Sequence, residues 1–414
     1  MPLSPLARRA YDWTMTRAET DIVIAGGGVA GLTAAAAFGT AGFRVTIVDP
    51  APPVTDAGTA GADHRTTAFL QPSREFLMAA GLWERLEPHA MPLDVMRIVD
   101  AGGEEPEPRV ARDFVASDIG PLPFGWNFPN WLLRREMVAR LAELPNVDFR
   151  PGTGYRRSLA REGEILVDLS DGLSLRARLL IGADGRNSAV RQAAGIGVKT
   201  TRYGQKAVVF AVTHELPHGN VSTEVHRTGG PFTLVPLPDH DGKPCSAVVW
   251  MESGPETKRL AALDAAAFNA EATARSAGVY GALTLIGPRQ VWPIISQIAD
   301  KMIAARTALV AEAAHVVPPI GAQGLNMSLA DLTCLHGLAV ARPEGLGDRQ
   351  MLDAYERRRH PEVRLRVSGV DALNRASIAG APILRDLRAK GIAALYGAAP
   401  VRKTLMQLGL GVRG

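Results

Sequence analysis

Gly26, Gly28 and Gly31 stand in the spacing G-x-G-x-x-G, and Asp49 follows the first of them by 23 positions. Residues of these types at this spacing suit a dinucleotide. The first glycine permits a tight turn, the second lets a pyrophosphate approach the backbone, and the third lets a helix pack closely on a strand. An acid at that distance accepts hydrogen bonds from an adenosine ribose. Two further stretches carry chemistry. Gly182-Ala183-Asp184-Gly185-Arg186-Asn187-Ser188 flanks one aspartate with two glycines, which permits close approach of backbone and carboxylate to a ligand. Pro318-Pro319-Ile320-Gly321-Ala322-Gln323-Gly324-Leu325-Asn326 reads as a rigid loop with exposed amides, and Asn326 is expected to begin a helix through His336. Amides aimed from a helix start suit a flavin ring edge that becomes anionic on reduction. No nucleophile with a base and an orienting partner stands anywhere in the chain, so hydrolytic and acyl-transfer chemistry have no support.

These residues need elements to hold them. Ile22 to Ala25 is a short apolar run suited to a buried parallel strand, Val29 to Thr40 a helix, and Arg44 to Val48 a second strand, so Asp21 to Pro50 forms a βαβ unit. Ile22 to Phe43 carries no charge over 22 residues, but six of them are glycine, and a membrane span is rejected. Arg65 is expected near a helix entrance, where a cation faces a phosphate or a flavin edge. Arg134 lies on a helix over Trp131 to Leu144, where an arginine pair is equally well a solvated face. Leu179 to Ile181 is a strand that stops at the second glycine turn. From Ala207 to Met251 the pattern predicts short strands separated by Gly, Pro and Asp turns, an antiparallel sheet and a second domain.

Composition sets the limits. With 46% hydrophobic and 21% charged residues the chain is an ordinary globular protein, long enough for two or three domains. Cys245 and Cys334 are too few for a disulfide framework or a zinc site, and His214, His218 and His226 match no metal spacing, so no metal is expected. A reducing cytoplasm fits. The net charge is +4, yet from Tyr355 to Gly414 there are twelve Lys or Arg against four Asp or Glu. No nucleic-acid motif accompanies that charge. Leu384, Leu387, Ile392, Leu395 and Leu405 lie among Arg385, Arg388, Lys390, Arg402 and Lys403, a basic amphipathic composition suited to a membrane surface. The same leucines can equally pack on the protein itself.

Four pieces in order, GGGVAG, DHRTTAFL, GADGRNSAVR and AEAAHVVPPIGAQGLN, resemble the single-component flavin-dependent aromatic hydroxylases of the p-hydroxybenzoate hydroxylase fold. Asp63-x-Arg65-x-x-Ala68 and the Pro319 to Asn326 stretch look most like the branch that hydroxylates polyprenyl phenols in ubiquinone biosynthesis. The resemblance implies that Gly26, Gly28, Gly31 and Asp49 hold the adenosine diphosphate half of FAD. It implies that Arg65 and Arg134 contact the cofactor, and that Asp184 serves FAD and NAD(P)H use. Gly321, Gln323, Gly324, Leu325 and Asn326 match the loop beside the isoalloxazine. The family carries Gly-Asp where Ala311-Glu312 stands here, and Glu more often than Asp at position 49. Glu312 is the expected FAD ligand at the altered site. His315 sits in the motif and is read as structural.

The resemblance further implies an NAD(P)H- and FAD-dependent monooxygenase acting on a hydrophobic phenol and molecular oxygen through a flavin hydroperoxide, and no catalytic base is nominated. Two alternatives stay open. One is a hydroxylase of soluble aromatics or another flavin oxidoreductase such as a prenyl reductase; the other is a catalytically silent flavin-fold subunit of a quinone-biosynthesis complex. The expected fold is α/β: a Rossmann-like FAD-binding βαβ domain in three parts (residues 21–90, 125–200 and 301–340). An antiparallel-sheet substrate domain (91–124 and 201–300) is inserted in it, a helical region follows over 341–414, and a flexible segment covers 1–20. The expected location is the cytoplasm, with a peripheral contact at the inner membrane surface.

Overall fold

The computed structural model of the chain describes residues 18–102, 107–227, 229–378 and Met406. At its centre Ile22–Ala25 is a strand buried at every position. It pairs in parallel with Val45–Asp49 on one side and Leu179–Gly182 on the other, in the register Ile22↔Val45 and Ile22↔Leu179. Thr307–Leu309 and Val147–Pro151 extend this sheet in parallel to either side, and Ile303–Ala304 closes one edge. A continuous apolar run makes such a strand because both faces of a parallel sheet are covered. One cover is the helix Val29–Thr40, buried from Val29 to Gly39. Its run of four alanines, Ala34 to Ala37, lets it lie close to its neighbours without an exposed face.

Residues 18–20, expected within a flexible segment over 1–20, are held in structure; residues 1–17 lie outside the described residues. Ala18–Glu19 pairs in parallel with Ser174–Ala177, and Thr20 Oγ1 donates to Arg44 O at 2.8 Å.

A second, eight-stranded sheet is built mainly from Val198–His214, Lys243–Ser253, Pro231–His240 and Leu283–Ala299. Val95–Asp100 and Val110–Val115 form its far edge. It departs from the expectation in two ways. Its strands are long, two of them 17 residues, because glycines that read as turns are bulges within strands. The register shifts between Arg202 and Lys206, around Gly204 at φ +72°, and again opposite Gly287 at φ +69°. One pair, Val221–His226 with Val95–Asp100, is parallel. The stretch after these strands forms two helices, Gly254–Ala262 and Ala265–Arg275, separated at Leu263-Asp264, where the Asp264 side chain caps the second by accepting from Ala267 N.

The two faces of this sheet meet different partners. Val208, Phe210, Phe232, Leu234, Val248 and Trp250 pack under Leu260 and Phe268 of the helices. On the opposite, inner face Ala207, Val209, Met251 and Ile294 pack with Ile320 and Val370, which belong to the segment after the strand Thr307–Leu309 and to the helix Arg349–Ile378. Ala211, Thr233, Val235 and Val249 on that inner face stay only half-buried. A small sheet, Thr66–Leu70, Gly125–Pro129 and Met91–Leu93, stands at the boundary, and Asn127 Nδ2 donates across it to Pro236 O at 3.0 Å. Among the described residues no helix is long and apolar enough to cross a membrane. The basic segment 384–405 lies outside the described residues.

Candidate functional site

The first glycine turn separates its three glycines by physical role. Gly26 sits at φ +112°, and a Cβ there would collide with the Ala183 carbonyl. A Cβ at Gly31 would collide with the Gly26 carbonyl, so this glycine is what lets helix meet strand. Gly28 is different. Its backbone, φ −71° and ψ 175°, is open to any L-residue, and a Cβ there would meet no heavy atom within 4 Å. Nothing among the described residues asks for glycine at this position. Gly28 is also the N-cap of the helix Val29–Thr40 and supplies no side-chain cap, so the first-turn amides point outward with the positive end of the helix dipole. Asp49 closes the turn: its Oδ2 accepts from Gly27 N at 2.6 Å and its Oδ1 from Ala51 N at 2.8 Å. Each oxygen keeps a lone pair for a ribose hydroxyl. Gly27, which the motif leaves unmarked, is needed here, because its Cβ would stand 2.9 Å from Asp49 Cβ.

Arg65 does not open a helix. It precedes the strand Thr66–Leu70, and the helix begins at Gln71 with a proline in its first turn. Two β-branched threonines and Phe69 favour the strand over the helical reading of the same apolar run. The Arg65 guanidinium forms a fork on Asp63, Nε to Oδ1 at 2.8 Å and Nη2 to Oδ2 at 2.7 Å, and lies 4.1 Å over the Trp292 ring of the large sheet. Arg134 Nη2 stands 3.4 Å from Asp63 Oδ2, and Asn130 Nδ2 donates to the same oxygen at 3.1 Å. Burial alone would raise the Asp63 carboxyl, but the Arg65 bonds and charge, with Asn130 and Arg134, hold it below the ordinary carboxylate range. Glu312 also acts on Arg65 by its charge and is itself paired with Arg186 at 3.5 Å, so three guanidiniums stand against two carboxylates and the cluster stays net positive, which favours an anionic ligand group.

The second glycine turn places Asp184 at the end of Leu179–Gly182 beside the first turn. Its Oδ2 accepts from Val190 N at 3.0 Å, while its buried Oδ1 has no hydrogen-bond partner among the described residues. Arg191, absent from the sequence reading as a functional position, bolts this turn to the third segment. Its Nη1 donates to Ala313 O at 2.8 Å and its Nη2 to Arg186 O at 2.9 Å.

In the third segment Ala311 holds φ +56°, the left-handed region that glycine adopts freely and alanine does not. The Glu312 side chain is half-exposed and stands 3.5 Å from Arg186 Nε. His315 belongs to a two-residue strand, and its Nε2 lies 2.6 Å from Asp331 Oδ2 in full burial. Gly321 and Ala322 follow one another in the left-handed region, φ +63° and +55°, and turn the chain sharply into a helix over Gln323–Ala341. The helix thus begins three residues before the expected Asn326. Gly324 falls in its first turn, where the nearest atom to a Cβ, Val317 Cγ2, is 4.0 Å away. Ala322 gives no side-chain cap, so this helix too presents uncapped amides at its start.

Gln323 Oε1 accepts from Arg366 Nη1 at 2.9 Å, and the Leu325 side chain packs on the main core. The Asn326 side chain is spent within the protein: Oδ1 accepts from Leu70 N and Ser73 Oγ, and Nδ2 donates to Ala68 O and Ala322 O. It ties the small sheet to the loop and has no bond left for a cofactor.

Ala311→Gly should raise folding stability by up to about 1 kcal/mol, the left-handed penalty less the entropy of glycine. Thermal unfolding of the FAD-free protein checks it. In the FAD-bound protein Glu312→Ala should weaken binding about ten- to a hundredfold, the worth of one charged acceptor. Glu312→Asp should lose part of that affinity and regain it with Ala311→Gly, and flavin fluorescence of the two singles and the double reads the coupling. Unchanged affinity in Glu312→Ala removes this acid from the cofactor.

The residues fit a dinucleotide that carries a flavin: an open approach at Gly28, two uncapped helix starts, a buried acceptor at Asp184 and a net-positive cluster at Arg65. Comparison with known proteins agrees in family and fold. The sequence profile of the family described as FAD binding domain matches residues 19–369. The chain is 35% identical over 400 residues to ubiquinone hydroxylase UbiL of Rhodospirillum rubrum, covering 94% of this chain and 89% of that one. It is 28% identical over 403 residues to the 3-demethoxyubiquinol 3-hydroxylase of Escherichia coli, covering 96% and 100%. Among solved structures, p-nitrophenol 4-monooxygenase PnpA of Pseudomonas putida superposes with a TM-score of 0.79 at 19% identity, over 96% of this chain and 100% of that one.

Proposed function

Because the chain belongs to the FAD-binding-domain family, we propose that it is an NAD(P)H- and FAD-dependent monooxygenase that hydroxylates a polyprenyl phenol in ubiquinone biosynthesis. The observation that carries the cofactor is Gly28, a glycine that the protein's own packing does not require. Gly26 and Gly31 shape the turn, Gly28 and the first helix start receive the diphosphate, and Asp49 takes the ribose. Arg65, Arg134, Asp184 and Glu312 surround the middle of the cofactor, and the backbone of Gly321 to Asn326 faces the ring. Residues 21–90, 125–200 and 301–340 make the cofactor side, and 91–124 with 201–300 the substrate side. Bound FAD supplies the reductive activation of oxygen. The chain's residues supply position and dryness: Val209, Val249 and Met251 on the inner sheet face and Ile320 from the loop form an apolar wall for an aromatic ring with a hydrophobic tail.

The FAD-loaded protein should consume oxygen and NAD(P)H together, and faster with a prenylated phenol present. NAD(P)H oxidation without oxygen uptake would make it a different flavin oxidoreductase. Failure to hold flavin would make it a silent subunit. A substrate with a polyprenyl tail resides in a bilayer, and the basic amphipathic composition of residues 384–405 supports peripheral contact with the inner membrane surface. The full chain should therefore float with anionic vesicles at low salt, and truncation after Gly380 should abolish flotation. Equal flotation of the truncated chain would move the contact elsewhere.

A further inference from the structure

Gln290 and Trp292 stand two positions apart on the strand Leu283–Ala299, opposite Val209 and Ala207, so both side chains leave the large sheet on its inner face. They meet one short loop of the cofactor side. Gln290 Nε2 donates to Ala62 O at 3.0 Å, and the Trp292 ring lies against the Arg65 guanidinium, whose Cζ is 4.1 Å from the ring centroid. Ala62 and Arg65 belong to the stretch that leads into the strand Thr66–Leu70. Two side chains of one sheet strand therefore hold the loop that carries the basic cluster.

Arg65 is fixed along one edge and on one face. Asp63 takes Nε and Nη2, and the indole covers the plane. Nη1 makes no hydrogen bond among the described residues, and 33% of the side chain stays exposed, so this corner is open to a ligand. Its two N–H groups suit an acceptor oxygen. Trp292 is half-buried and packs on the inner-face cluster of Val209, Met251 and Ile320. Packing alone does not call for an indole at this position, because its Nε1 is buried with no partner among the described residues, a cost that leucine or phenylalanine would avoid. What the indole offers over other side chains is the ring face that best attracts a cation.

We propose that Trp292 is a positioning residue: its ring holds the Arg65 guanidinium so that Nη1 is presented to an acceptor oxygen of FAD. This rests on the FAD reading above and deepens it. Without the indole, the Asp63 fork alone leaves Arg65 free to swing about that edge. Ordering a long side chain at the moment of binding costs part of the bond it makes, so Arg65 contributes most to affinity when it is already in place. The effect of Trp292 on FAD thus passes through Arg65, and the sheet that walls the aromatic substrate also sets the cofactor arginine.

The test is a double-mutant cycle on FAD dissociation in the full chain, read by flavin fluorescence. Arg65→Ala should weaken FAD binding about ten- to a hundredfold, the worth of one charged hydrogen bond. Trp292→Leu should weaken it about three- to thirtyfold, the range of a cation–π contact from exposed to desolvated. The double variant should bind as Arg65→Ala does, within about twofold, because Trp292 then has nothing to hold. Trp292→Phe, which keeps an aromatic face, should bind closer to the parent than to Trp292→Leu. Losses that multiply in the double variant show that Trp292 acts on the fold rather than on Arg65, and they overturn the assignment. So does a Trp292→Phe as weak as Trp292→Leu, or a parent-like affinity in Trp292→Leu or in Arg65→Ala. Each of these results leaves the FAD reading intact, since Gly28 carries it, whereas a parent that holds no FAD overturns both. Should Trp292→Leu not fold, Trp292→Met takes its place in the cycle with the same outcomes.

Discussion

Asp331→Ala should lose about 3–5 kcal/mol of folding stability, a fifth or more of the roughly 5–15 kcal/mol a domain ordinarily possesses. Asp331 is fully buried on the helix Gln323–Ala341. Its Oδ1 accepts from Arg359 Nε at 2.9 Å; its Oδ2 meets His315 Nε2 at 2.6 Å and accepts from Ala311 N at 3.3 Å. Two separate segments, 311–315 and the helix Arg349–Ile378, therefore converge on one carboxylate carried by a third. Arg359 is itself buried, with Nη1 on Glu362 at 2.6 Å and Nη2 on Met327 O at 3.3 Å. Removing the carboxylate leaves that guanidinium in a low dielectric with a single acidic partner.

The loss should be partly restored by Arg359→Met in the same chain, because an apolar pair of similar volume replaces a buried ion pair at little cost. Burial alone would raise the Asp331 carboxyl, but His315 and Arg359 hold it below the ordinary range. Its contribution is thus present above the unfolded carboxyl value, about 3.9, and is lost as pH falls through the lower folded value. The parent should show this acid limb in urea titrations, and Asp331→Ala should lack it. A loss below about 1 kcal/mol at pH 7 would show that the network does not hold the segment together. If it does hold, FAD affinity should fall in the same variant, since Ala311 and the loop behind it lose their anchor.

What the sequence revealed and what it hid follow one physical division. Gly26, Gly31 and Asp184 were legible because the reason for each residue is local: a turn, a close helix approach, an acid between two glycines. The Arg359 contact to Asp331 spans 28 positions and the Arg191 contact to Ala313 spans 122, and neither leaves a local pattern. A buried charge looks in sequence like any surface charge, so Arg191, Asp331 and Arg359 passed unnoticed, although GADGRNSAVR already contains the first of them. Trp292, which meets Arg65 only through the fold, was hidden in the same way. The misplaced boundaries have another cause. Thr66 to Leu70 and Gln323 to Leu325 are short stretches in which helix, strand and loop are separated by tertiary partners rather than by periodicity. Asn326 shows how a motif residue changes role under structure: the resemblance places it beside the ring, and its four hydrogen bonds show that its side chain holds the loop instead.

Gly28→Val should leave the fold intact and weaken FAD binding by at least about a hundredfold, close to 3 kcal/mol. The three glycines of this one turn fail for different reasons when a side chain is added. Alanine at Gly26 or Gly31 collides with a backbone carbonyl, so those variants should lose secondary structure and FAD together. Neither result would say anything about a ligand. At Gly28 the backbone angles are those of an ordinary extended residue and the space beyond is free of protein, so the FAD-free variant should melt as the parent does. A small gain from a stiffer unfolded chain and a small loss from a poorer N-cap nearly cancel. Any loss of FAD then comes from the side chain standing where the diphosphate meets the amides of the first turn. Gly28→Ala should fall between parent and valine, because a single methyl displaces the phosphates less. The two quantities to compare are the melting temperature of the FAD-free protein and the flavin dissociation constant by fluorescence quenching. A parent-like melting temperature with a parent-like dissociation constant in Gly28→Val would place the diphosphate elsewhere. The glycine would then lack the one explanation that the packing around it leaves open.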